Sequence, residues 1–488
     1  MTATTAPSVG DRAWHVIGLV AIVTFAWSCL AVGARASYSA QTTADEPQYL
    51  VTALSLWEDH SLEVTDELAA ERYRAFHEVR LPVQTRAVDD SGRLVSPHDP
   101  LLPLLLSVPM GLGGWVAAKV TLAALAGLLA GLLVWIAVRR FDVGAMPAGL
   151  AVLAFSLAAP LSSYATQVYP ELPAALAIAV AVAALTGPLG RGGRWAAGLA
   201  IVALPWLGVK YAATAAVLAA IGCVVLVRRG RWARALAFAA SLAVAGVAYL
   251  LLHRAWYGGW TVYAAGDHFV GGELSVVGVA PDHLGRSRRL VGLLLDRGFG
   301  LAAWAPAYLL TVPAMAAVIR RRPPGWVALV APLAAGWATA TWAALTMHGW
   351  WWPGRQVVVV LPCLVLAAAW WVGSVEPRAR RLLSVLGGIG AVLWAWLVLE
   401  AIDHRLTLIV DFERTHNPLY RAWRALLPDY RAVTTSTWVL QALWLAALAG
   451  LVWAGWRSVA RPHAHPSAPA ETSTDPPNNR RSSNRVPV

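Results

Sequence analysis

Two adjacent carboxylates, Asp45 and Glu46, stand just after the first long apolar run and just before Pro47, where a helix can begin. From Pro47 to Asp59, Leu50, Leu54 and Trp57 recur at i, i+4 and i+7, the single apolar face of a helix lying on a membrane surface. The acidic pair is thereby placed at the ends of the spans, at the depth of a lipid head group. Other ionisable groups fall at the same level: His98 and Asp99 ahead of Pro100, Glu171 between Pro170 and Leu172, Lys210 with Tyr211, Asp296 with Arg297, and the run from His348 through Trp350 to Arg355. Carboxylates there can accept a proton or hold an acceptor or cation, and Lys210, Arg297 and Arg355 can hold a phosphate. Cations on this face run against the positive-inside trend and so need another reason. Ionisable groups gathered at one interface, with almost none at mid-membrane, point to a site at that interface.

The elements that must position them are transmembrane helices. Of the 488 residues, 58% are hydrophobic and only 14% charged, against roughly 25% charged in soluble domains, and mean hydropathy is +0.55. Runs of about 20 apolar residues, the length a bilayer core demands, recur along almost the whole chain. The net charge of +12 does not indicate nucleic acid, because the basic residues sit in short clusters between apolar runs. Lysine occurs only at Lys119 and Lys210; the arginine-dominated charge with Ala, Val and Gly richness fits a high-GC bacterium. Cys29, Cys223 and Cys363 are far apart and inside predicted spans, so no disulfide framework or metal knuckle is expected.

About twelve spans are predicted, near 14–34, 115–138, 145–160, 171–187, 195–209, 211–227, 233–252, 300–319, 326–346, 356–375, 382–400 and 437–456. With both termini cytoplasmic, the short inside loops hold Arg139 and Arg140, Arg191 and Arg194, Arg228 to Arg234, Arg320 to Arg322, and Arg378 to Arg381, and all are basic. Leu101–Leu112, interrupted by Pro103 and Pro109, is too short to cross and reads as an interfacial or re-entrant helix. Three long segments then face outside: 35–100, 253–299 and 401–436. A second surface helix is expected over Asp66–Arg80, with acids at its start and arginines later. Residues 1–456 form the membrane domain, and 457–488, rich in Pro, Ser, Asn and Arg, read as a disordered basic cytoplasmic tail.

Asp45-Glu46 after the first span, the two surface helices, the His98-Asp99-Pro100-Leu101 stretch and an acid in the next outside loop together resemble the GT-C superfamily of polytopic glycosyltransferases. The pattern is most similar to its protein O-mannosyltransferase and aminoarabinose-transferase branch. The resemblance covers roughly the first 230 residues. It implies a plasma-membrane enzyme, all-α, that moves a sugar from a polyprenyl-phosphate donor to an envelope glycan, lipid or protein acceptor, inverting and extracytoplasmic, without nucleic acid as partner. It further implies that Asp45 is the general base, that Glu46 or Glu171 holds the acceptor or a divalent cation, and that Lys210, Tyr211, Arg297 and Arg355 lie at the donor phosphate. His98, Asp99, His348 and Trp350 are then left for acceptor or sugar. The sequence has Asp-Glu where metal-dependent relatives have Asp-x-Asp, so a magnesium or manganese requirement at Asp45 and Glu171 stays open.

Simpler roles stand beside these. Asp45 is also placed to cap the following helix, Glu171 to favour a helix N-terminus, and Lys210 to snorkel; the arginines of 286–297 can meet anionic lipid. Most of the 26 tryptophans fit interfacial belts. A transporter or lipid flippase is the alternative function, but its usual repeat between halves is not visible here. Neither a G-x-x-x-x-G-K-[ST] phosphate loop nor an H-E-x-x-H pair occurs.

Overall fold

The computed structural model describes residues 10–38, 40–269 and 271–459; of the expected tail 457–488, Arg457 and Ser458 instead end a helix and residues 460–488 lie outside the described residues. Among them, the apolar runs become helices, since a chain in lipid must satisfy its backbone within each segment, and β structure is limited to isolated bridges. Seven helices are long and apolar enough to cross a membrane: Asp11–Cys29, Leu101–Phe141, Val209–Arg228, Trp232–Ala265, Arg355–Val375, Ala379–Ile402 and Thr435–Ser458. Ala145–Ser156, Glu171–Leu185 and Val327–Ala343 are shorter apolar helices, and Arg191–Leu207 and Thr311–Arg321 complete the set, so helix stands at every predicted span. Glu171–Leu185 and Leu361–Trp370 lie in the interior, the second buried throughout. Apolar side chains such as Leu19, Val244, Leu443 and Trp453 are exposed on the outer helices, a surface that lipid and not water would cover. The three cysteines are free.

The predicted division at residue 113 is present as a joint inside one long helix. Gly113 and Gly114 leave helical geometry between the Leu101–Leu112 stretch and the span that follows. In that first stretch Leu102, Leu106 and Met110 are buried, whereas Leu104, Leu105, Val108 and Leu112 are exposed.

The segments 35–100, 253–299 and 401–436 pack together at one end of the bundle. Arg86 N–H donates to Ala265 O at 2.9 Å, Leu408 N–H to Arg35 O at 2.8 Å, and Arg297 N–H to Pro428 O at 2.9 Å. Beneath them lies the helix Glu46–Glu58, in which every residue from Glu46 to Ser55 is buried. Leu50 and Leu54 enter the core, and Trp57 lies flat on Gly111, where any side chain would overlap the indole. This helix is thus covered by the loops as well as by the bundle. The expected helix over Asp66–Arg80 is instead two short turns, Thr65–Ala69 and Arg72–Ala75, separated because Glu71 takes a left-handed conformation at φ 51°.

Candidate active site

Asp45 precedes the helix Glu46–Glu58 in the position of a cap, yet its carboxylate makes no capping bond. Glu46, the first residue of that helix, binds amides outside it. Its Oε2 accepts from Thr43 N–H at 2.8 Å and its Oε1 from Val168 N–H at 2.7 Å, tying the first loop to the turn that leads to Glu171. Burial raises the Glu46 carboxyl to about 7 against the opposing pull of Lys119. Lys119 is buried too, with Nζ donating to Gln41 O at 2.6 Å.

Freed from capping, Asp45 Oδ2 accepts from Arg355 Nη2 at 2.8 Å, with His98 Nε2 at 3.9 Å from the same oxygen. Burial alone would raise the Asp45 carboxyl, but Arg355 and His98 outweigh it and hold the group well below the usual carboxylate range. Arg355 Nε donates to Glu171 Oε1 at 2.9 Å, and Lys210 Nζ donates to that same oxygen at 2.7 Å. Glu171 is fully buried, and its Oε2 has no partner. The guanidinium also lies over Tyr169, 4.1 Å from the ring centroid, and over Trp351 at 4.8 Å. Its aim is fixed by Gly354 at φ +84°, where a Cβ would press on Leu301 and Pro160.

Asp45, Tyr49, His98, Lys210, Tyr263 and Arg355 line a cavity of about 140 Å³. Asp45, Arg355 and Lys210 thus stand at its wall, and Glu171, buried behind them, joins the two cations in a chain of ion pairs with near-zero net charge. A weakly basic carboxylate held by an arginine, next to a lysine, can accept a proton once the arginine is drawn elsewhere, and the cations can receive an anion.

Several residues singled out from sequence are placed differently from expectation. Asp99, expected to face acceptor or sugar, does line the cavity, but it is buried and its carboxylate is internally bonded. Its Oδ2 accepts from Val209 N–H at 3.0 Å, while Oδ1 accepts from Tyr249 O–H at 2.9 Å and faces His253 Nε2 at 3.2 Å. It therefore anchors the Gly208–Lys210 turn and supports Lys210 from behind. Tyr211 is buried, with its ring 5.2 Å from Lys210 Nζ.

Arg297, His348 and Trp350 do not line this cavity. Arg297 pairs with Asp429 at 3.5 Å and with Leu427 O. His348 lies 3.7 Å from Asp296, in a separate pocket of about 80 Å³ with Arg288, Arg289 and Tyr430. Trp350 is largely exposed, and of the three adjacent tryptophans it is Trp351 that meets Arg355.

Tyr49 and Tyr263 complete the wall, and Tyr169 lies against Arg355, none of the three having been singled out. Tyr49 follows Asp45 by four residues, one helical turn, a spacing that marks it in the sequence. Tyr169 is two residues from Glu171, but nothing local says that its ring lies beneath a guanidinium from residue 355.

No protein-family model matches the chain, and no curated protein matches it in sequence. Among solved structures, ArnT from Cupriavidus metallidurans bound to undecaprenyl phosphate superposes with a TM-score of 0.54 at 17% identity, over 92% of this chain and 74% of that one. The chain has the ArnT fold. The apo form of the same ArnT gives a TM-score of 0.51 at 17% identity, over 93% of this chain and 74% of that one. The chain thus has an ArnT-like architecture of apolar helices, and the similarity extends well past the first 230 residues, over 92% of the chain.

Proposed function

We propose that the protein is a membrane glycosyltransferase that moves a sugar from a polyprenyl-phosphate donor to a cell-envelope acceptor at the extracytoplasmic face, with inversion at the anomeric carbon. The observation that carries this reading is the ion-pair chain Asp45–Arg355–Glu171–Lys210 on one small cavity at the loop end of an ArnT-like bundle. The similar ArnT structure holds undecaprenyl phosphate, a lipid of the donor class.

In this mechanism the donor phosphate is received by Lys210 and Arg355. As the guanidinium turns toward it, Asp45 loses the contact that depresses its basicity and takes the acceptor hydroxyl proton. The acceptor oxygen then forms its bond to the anomeric carbon on the face opposite the phosphate, while the bond from that carbon to the phosphate oxygen breaks. The electron pair leaves with the polyprenyl phosphate, whose charge Lys210 and Arg355 stabilise. Glu171 keeps both cations in place between turnovers. The donor already carries its leaving group, so the protein supplies a base, positive charge and alignment. Asp45 and Glu171, which would hold a magnesium or manganese ion, are bridged by the Arg355 guanidinium, so this reading routes no step through a metal at that position.

The test is incubation of the purified protein with polyprenyl-phosphate sugars and envelope acceptors, followed by mass spectrometry of the lipid fraction. A glycosylated acceptor with release of polyprenyl phosphate supports the transferase. Movement of an unaltered lipid between leaflets, with no product, would replace it with the flippase.

A further inference from the structure

Away from the Asp45 cavity, in a chain of net charge +12, the stretch from Glu58 to Glu71 carries six acids and no lysine or arginine. Three of those acids converge. Asp59 ends the helix Glu46–Glu58, Asp66 and Glu67 open the turn Thr65–Ala69, and one ligand oxygen from each lies within 4.8 Å of the other two. Asp59 and Asp66 are open to solvent, whereas Glu67 is only 2% exposed and neither of its carboxylate oxygens has a hydrogen-bond partner. The nearest arginine in sequence, Arg72, hydrogen-bonds both oxygens of Glu58, at 2.8 and 2.9 Å, and reaches the three acids only through its field.

A buried carboxyl aimed at two other acids must either keep a proton or share a cation with them, and three converging carboxyl groups offer the cation more oxygens than a proton can use. We infer that Asp59, Asp66 and Glu67 hold a calcium ion. The donor set is all oxygen, which selects a hard cation over zinc or copper. Three carboxylates with one side open to water suit the six to eight flexible oxygen ligands of calcium, the remainder being water, better than the strict octahedron of magnesium. Bound there, the ion joins the last residue of the helix that Asp45 begins to the first turn after it, and clamps the intervening 60–64 segment. The site is separate from the Asp45–Arg355 centre and does not depend on the transferase reading.

The experiment uses the full-length protein in detergent, stripped of divalent cations and titrated with terbium, a calcium probe whose emission is excited through tryptophan; Trp57 stands two residues before Asp59. The expected result is saturable emission that calcium displaces at lower concentration than magnesium. Glu67→Gln should weaken terbium binding at least tenfold, and Asp45→Asn should leave it unchanged. Calcium should also raise the melting temperature of the wild type and not that of Glu67→Gln, a comparison that holds even if the variant is less stable. Absence of saturable emission would overturn the site. So would emission that survives Glu67→Gln, and emission lost in Asp45→Asn would move the ion to the other centre.

Discussion

Arg355 Nη2 lies 2.8 Å from Asp45 Oδ2, a contact between residues 310 positions apart in sequence. It takes Asp45 away from the capping role its sequence position offers and makes its basicity depend on where the guanidinium points. The predictions for the site start from this pair.

Asp45→Asn keeps the volume and one acceptor for Arg355, and no cap is at stake. The variant should insert and melt like the wild type while product formation falls by about 100- to 10,000-fold, the usual cost of losing a general base. Asp45→Ala should lose turnover equally and melt lower, because the buried Arg355 Nη2 is left without its acceptor. Full turnover by a well-expressed Asp45→Asn protein removes Asp45 as the base.

Arg355→Lys retains a charge but cannot bridge Asp45 and Glu171 or stack between Tyr169 and Trp351. Turnover should fall by about 10- to 100-fold, and the acid limb of the pH–activity profile should move. A base acts only when deprotonated, so that limb reports the Asp45 carboxyl. The limb should shift upward in the variant, because burial, which raises the carboxyl, is no longer outweighed by Arg355. An unmoved limb would detach Arg355 from the base.

Lys210→Ala should chiefly raise KM for the polyprenyl-phosphate sugar. Asp99→Asn, which weakens the acceptor on Val209 N–H and the contact with His253, should raise the same KM by a smaller factor and leave the acid limb in place. An effect confined to melting temperature would reduce Asp99 to a purely structural part.

Glu46 titrates with its carboxyl raised from 4.5 to about 7. A raised acid binds its proton more tightly in the folded state, so its contribution to stability is complete below about 4.5 and is lost as pH rises toward about 7. Thermal melting across that window should decline with pH in the wild type, and Glu46→Gln should flatten the decline. An equal slope in both proteins would show that Glu46 does not titrate there.

Orientation is tested by single cysteines at Ser61 and Ser467 in intact cells with an impermeant reagent. Labelling of Ser61 alone is expected. Labelling of Ser467 alone places the Asp45 cavity on the cytoplasmic side.

Hydropathy alone determined much of this protein. An apolar run in lipid has no backbone partner except itself, so each run had to become helix, and the break near residue 113 was written in two glycines after Pro109. That Asp45, Glu171, Lys210 and Arg355 stand at the starts of helices was likewise legible, since charge is excluded from mid-membrane. Tertiary structure decided which of these groups meet. His348 and Arg355 are on one short run, yet the turn at Gly354 sends only Arg355 to Asp45, while His348 turns toward Asp296. Asp99 and His98 are adjacent, yet one supports the Lys210 turn and the other faces Asp45. Span positions follow from local composition, whereas pairing among side chains tens to hundreds of residues apart depends on how the helices pack, and no local signal carries it.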